Sequence, residues 1–275
     1  MEYRIDNTFE IPAQEEWDRY LSSPLFEEML IDKDQFPVAQ DFISKMTFGQ
    51  SIRNYIRQHN NKVGTLAVSY VLCRHYFDQH IPDDPWYISP GKDGQSIQYM
   101  PEFQPKDWLK RYWFSYFAEV MYFKIFSIRD SLVGFINEYY QMECTQDSHF
   151  VGSVSKKLKS RRKDIVDFLS DFLEDPIYKE AQKYRTEIVH GATPMDVSSG
   201  VSLKRNVDTQ ITEIAEDGAV IEKQVKAAFQ LSWGIGDYTG TKTIMDNLES
   251  VSTLMGRNIK CICEMVAEDT FSVKI

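Results

Sequence analysis

Arg185 and His190 frame the run Arg185-Thr186-Glu187-Ile188-Val189-His190, with four residues between them. These two residue types can together support metal-free cleavage of a phosphodiester by a neighbouring 2′-hydroxyl. That reaction needs a base for the 2′ proton, an acid for the leaving 5′ oxygen and a cation for the phosphorane. Histidine titrates near neutrality and can fill either proton role. Arginine stays charged and forks two donors onto phosphate oxygens. Positions five apart on a straight helix diverge by about 140°, so convergence needs the chain to leave helical geometry at its end. Gly191 offers that freedom. A two-fold dimer would bring two arginines and two histidines to one interface.

Spacing alone does not single this pair out. Arg53 and His59, and Arg74 and His80, repeat it with five intervening residues. A purely structural role is also open, with Arg185 paired to Glu180 or Glu187 and His190 charged against the exposed carbonyls of a helix C-terminus. Thr186 and Glu187 are either hydrogen-bonding supports of the site or a solvated helix face. A second candidate is the run Lys156, Lys157, Lys159, Arg161, Arg162 and Lys163, six bases within eight residues. It reads as an RNA-phosphate contact or as a solvated run before a helix. The net charge of −10 counts against a nucleic-acid partner, but eleven acids and only four bases in residues 1–50 make that imbalance local.

Other motifs fail on their chemistry. Gly236 to Thr243 resembles a phosphate-binding loop only faintly, because Lys242 does not adjoin the second glycine, and it reads as the capping turn of a last helix. Cys261 and Cys263 fall on different helix faces, and His75 and His80 lack the i, i+4 spacing of a zinc pair. No metal and no cofactor are expected. Four scattered cysteines suit a reducing compartment. The first residues contain no apolar leader, and the longest weakly polar stretch, residues 64–73, is half a membrane span. A soluble, cytoplasmic protein is expected.

The elements that must position these residues are mainly helical. Glu15–Leu30 reads as one helix, and Phe42–Phe77 as two, broken near Asn60-Asn61 or Gly64. Five of the ten prolines lie between Pro82 and Pro105, around a hairpin made of residues 86–88 and 97–100. From residue 105 a long helix runs to about Tyr140. Its stripe Phe114, Phe117, Met121, Ile125, Ile128, Leu132, Ile136 and Tyr139 is one helical face, and Trp113, Tyr116 and Phe123 suggest a second buried face. Thr145–Ser160 reads as a polar, basic connection. Helices are expected at Asp164–Leu173 and Pro176–His190, the latter ended by a left-handed Gly191. A β-hairpin is expected at Thr209–Ile214 and Val220–Lys226 around Asp217-Gly218, followed by a last helix from Thr241 to Ala267. The organisation drawn from this is an N-terminal helical extension over 1–100 and a helical bundle over 101–275.

The run Tyr184-Arg185-Thr186-Glu187-Ile188-Val189-His190-Gly191 resembles the signature of the HEPN superfamily, and Lys124 to Leu132 resembles its long early helix. The resemblance covers about residues 105–270. It implies a mainly α, HEPN-like bundle of four or more helices, with the hairpin at 209–226 as an insertion and the N-terminal helices as an extension. It also implies metal-independent endoribonuclease activity on single-stranded RNA, with Arg185 on phosphate, His190 transferring protons and a homodimer as partner. The alternative within the same family is a non-catalytic module that binds nucleotide, RNA or protein. Thr186 departs from the Asn, Asp or His that active members usually carry after the arginine.

Overall fold

A computed structural model describes residues 8–36, 44–84, 86–88, 97–191, 193–195, 201–214, 220–233 and 238–269. The chain divides into two units. One comprises Met1–Ile81, Gln104–Thr193 and Thr241–Ile275, and the other Pro82–Phe103 and Pro194–Gly240.

The first unit is helical: α1 (Gln14–Leu21), α2 (Gly49–Asp78), α3 (Asp107–Tyr139), α4 (Phe150–Leu158), α5 (Lys163–Glu174), α6 (Pro176–His190) and α7 (Thr241–Ala267). The α3 stripe is the core. Phe114, Met121, Ile125, Ile128 and Ile136 are fully buried, as are Ile244, Leu248, Val251, Ile259 and Ile262 of α7. Helix α2, drawn in the sequence as part of a separate extension, packs along α3 in the same unit.

Three helices differ from the sequence reading. Glu15–Leu30 is not continuous: Pro24 opens a separate 3₁₀ turn, Pro24–Met29, capped by Ser23, which accepts from the Leu25 amide. That turn lies so close to α7 that a Cβ on Gly256 would meet Glu28 Cβ at 3.2 Å. Helix α2 is unbroken through Asn60. The Asn60 amide is spent on a distant chain, accepting from the Ile31 amide at 2.9 Å and donating to the Ile31 carbonyl at 3.0 Å, so it does not compete with its own helix. Thr145–Ser160 contains α4, whose Phe150, Val154 and Leu158 form a buried i, i+4, i+8 line. On α3, Tyr116 and Phe123 prove exposed, so the second face is not buried there.

The second unit carries two antiparallel hairpins. One pairs β1 (Trp86–Ile88) with β2 (Ile97–Tyr99), and the other pairs β3 (Val201–Ile214) with β4 (Val220–Trp233). In the second, β3 ends at Ile214 and β4 begins at Val220 as expected, but the strands are longer than the expected ones. The Asp217-Gly218 turn, like Gly236 and Asp237, lies outside the described residues. Within this unit the Tyr238 hydroxyl donates to the Asp83 carboxylate.

His59 joins α2 to α3 and to the N-terminal segment. Its ring is fully buried, with Nε2 2.9 Å from the Met29 carbonyl and Nδ1 2.9 Å from the Ser131 hydroxyl. A carbonyl only accepts, so Nε2 carries the proton; the Ser131 hydroxyl beside Nδ1 also lies 2.7 Å from the Ile128 carbonyl, and its one proton is shared between these two acceptors. Burial pushes the His59 pKa down to about 4 from its ordinary 6.5. Between those values the unfolded chain binds the extra proton, so stability is full above pH 6.5 and falls as the pH drops toward 4. The loss is on the order of 3 kcal/mol. Urea midpoints from pH 7 to pH 4 should follow this fall, and His59→Gln should flatten it while lowering the midpoint at pH 7. An unchanged slope in His59→Gln would contradict the assignment.

Candidate functional site

Helix α6 begins where its sequence requires. Asp175 caps it by accepting from the Ile177 amide at 2.8 Å, and Pro176 occupies the first turn, where no amide proton is needed. It ends at His190. Gly191 is not left-handed as expected but extended, at φ −134 and ψ −154, with its amide donating to the Glu187 carbonyl at 2.8 Å. His190 therefore stays helical. Arg185 and His190 of one chain keep the roughly 140° divergence of a straight helix, and no local unwinding brings them together.

Tyr178 and Arg185 are seven residues apart on α6 and so share a face, which meets Phe126 and Arg129 of α3. The Arg129 guanidinium lies 5.6 Å from the Phe126 ring centre and that of Arg185 5.9 Å. Arg129 Nη1 donates to the buried Tyr178 hydroxyl, and its Nε and Nη2 donate to Asp130. Burial works against the Arg129 charge, but Tyr178 and Asp130 outweigh it and hold its pKa above the ordinary arginine value. Burial likewise raises the Tyr178 pKa, against the pull of Arg129 and Arg185. Two cations thus flank one phenol.

Arg185 differs from Arg129 in having no hydrogen-bond or ion-pair partner among the described residues. Its Nε is buried without a hydrogen bond, and no ion pair reaches it among the described residues. The two acids that could have neutralised it are taken. Glu180 accepts from the Tyr184 hydroxyl and from Asn247, while Glu187 lies 3.9 Å from Lys183. Thr186 spends its hydroxyl on the Gln182 carbonyl at 2.8 Å. His190 is exposed.

Each rival pair has one member held by the fold. His59 is the buried strut described above. Arg74 is paired with Asp78 and Glu249, both at 2.9 Å, and His80 sits beyond the end of α2 at φ 58. His75 faces Glu16 at 2.9 Å. The cysteines are unbridged, and Cys73 and Cys263 are buried. No cluster of metal-ligand type exists among the described residues, and none of the described helices is long and apolar enough to cross a membrane.

The basic run is not uniform. Arg162 is an internal clasp, contacting Asp164, Asp269 and the Met265 carbonyl, with its side chain 14% exposed. Lys157 reaches the Met142 carbonyl, Arg161 the Tyr140 carbonyl and Lys163 Asp167. Lys156 and Lys159 extend from α4 and its end, exposed. None of the six bonds to Arg185 or His190. Sequence reasoning missed Arg129 and Tyr178 as companions of Arg185. The one signal for them was spacing: Tyr178 and Arg185 at i, i+7, Phe126 and Arg129 at i, i+3.

Removing the clasp should be costly, because the largely buried Arg162 side chain ties the start of α5 to the end of α7 through the Met265 carbonyl and the Asp269 carboxylate. Arg162→Ala should lower unfolding free energy by about 2–3 kcal/mol, whereas Lys156→Ala should change it by less than about 0.5 kcal/mol. Urea denaturation of both variants checks this, and equal midpoints would refute the distinction.

No curated protein and no solved structure matches the chain. A family model does, the one described as HEPN_Cthe2314-like HEPN, over residues 55–271. With most of α2 and all of α3, α6 and α7 inside that span, the chain belongs to the Cthe2314-like HEPN family.

Proposed function

We propose that this HEPN-family protein is a metal-independent endoribonuclease acting on single-stranded RNA, with Arg185 on the phosphate and His190 of two chains transferring protons. The observation that carries the reading is the unpartnered Arg185 guanidinium, placed on the helix that ends in an exposed His190. A half-buried cation with no protein acceptor is a ready partner for a phosphate oxygen. The chemistry calls for a two-chain site, since one chain's histidine cannot stand on both sides of the same phosphate.

In that site one His190 takes the 2′-hydroxyl proton and the 2′ oxygen attacks phosphorus. The P–O5′ bond breaks, and the other His190, protonated at the outset, gives its proton to the departing 5′ oxygen. Arg185 balances the charge on the phosphorane. Lys156 and Lys159 are the members of the basic run free to steer the strand toward the site. The non-catalytic family reading shares Arg185 as the phosphate contact and differs only in turnover.

With EDTA present, His190→Ala should cut cleavage of a mixed single-stranded RNA by about 10²–10⁴-fold and leave the thermal midpoint unchanged. Arg185→Lys should also fail, since lysine keeps the charge and loses the fork. RNA bound without cleavage by the wild type would establish the binding module instead.

A further inference from the structure

On the α2 side of α3 lies a cleft of about 470 Å³, bounded by α2, α3 and the residues leading into α4. Lys62, Arg129, Asp130, Tyr55, Gln146 and Phe150 line it. The volume is that of a small-molecule site. Its floor is fixed, because Ser131, also in the lining, is held by His59 from below. Gly134 lets the Tyr55 ring lie against α3, where a Cβ would stand 3.4 Å from Tyr55 Cε1.

We propose that this cleft is a second ligand site, taking a small organic monophosphate that carries a planar ring. Lys62 and Arg129 hold the phosphate, and Tyr55 meets the ring. Lys62 donates to the Ser127 carbonyl at 3.1 Å, which leaves ammonium protons for a ligand. Asp130, its side chain 51% exposed, covers the Nε and Nη2 edge of a guanidinium that is itself only 21% exposed. An incoming phosphate takes the place of that exposed carboxylate, so the buried charge of Arg129 stays neutralised throughout. Gln146 supplies hydrogen bonds to the ring edge. Asp130 and Asp147 at the opening offset the two cations, which favours a monophosphate over a triphosphate. The same Arg129 holds Tyr178 of α6, so an occupant here shares a residue with the Arg185 face. Its binding does not depend on RNA cleavage.

Calorimetric titration of the full chain with AMP, phenyl phosphate, adenosine and ATP tests the site. AMP and phenyl phosphate should bind, adenosine and ATP at least tenfold more weakly. Lys62→Gln should lose AMP affinity by tenfold or more with an unchanged thermal midpoint, and Tyr55→Ala should weaken AMP more than inorganic phosphate. Arg185→Lys and His190→Ala should bind AMP as the wild type does. Adenosine binding as tightly as AMP, no binding of AMP at millimolar concentration, or wild-type affinity in Lys62→Gln would each overturn the proposal.

Discussion

A guanidinium taken four-fifths out of water must be neutralised in place, and the joint between α3 and α6 is organised around doing that for Arg129. Desolvation penalises the charge, and the Tyr178 oxygen and Asp130 carboxylate compensate. The requirement fixes the register of the two helices, because Tyr178 must meet Arg129 while Phe172 and Phe126 pack on its ring at 4.7 and 5.3 Å. Once that register is set, Arg185, two turns along α6, must also lie over Phe126. The second cation is left without an acid because Asp130 serves the first and Glu180 is bonded to Tyr184 and Asn247.

A second polar chain fixes the same helix from the other direction. The buried Tyr122 hydroxyl of α3 donates to Asn247 of α7 at 2.9 Å, and Asn247 donates to Glu180 of α6 at 3.1 Å. Glu180 is thereby held away from Arg185, although it is close to it in sequence. Three helices thus share one network, and its satisfied members leave Arg185 as the residue with capacity for an outside acceptor. His190, one turn beyond, is exposed at the helix end.

Much of the fold was legible because its apolar periods are long. The stripes of α3 and α7 repeat over 30 residues or so, and the boundaries of α6 carry their own chemistry in Asp175 and Pro176. Helix α4 was hidden because its four apolar residues are set among serine, lysine and glycine, so that composition outweighed period. The unbroken α2 was hidden because Asn60 is a helix competitor only when its amide is unemployed, and its partner Ile31 is 29 positions away. The site divides in the same manner. Arg185 and His190 could be found as a motif, and the fold engages His59 and Arg74 of the two similar pairs elsewhere. Arg129 and Tyr178 depend on the register between α3 and α6, which no local pattern encodes. The basic run was visible as charge, but whether each cation faces solvent or an internal carbonyl depends on where α5 and α7 place Arg162.

The central claim is chemical: an intramolecular 2′-hydroxyl attack on RNA phosphate, with proton transfer by histidine. The end groups of the products test it most directly. A single-stranded RNA and the same sequence as DNA would be incubated with the purified protein in EDTA, and the product termini identified by mass spectrometry. The account predicts RNA fragments ending in a 2′,3′-cyclic phosphate and beginning with a 5′-hydroxyl, with the DNA intact. Fragments with a 3′-hydroxyl and a 5′-phosphate, or cleavage of the DNA, would contradict it.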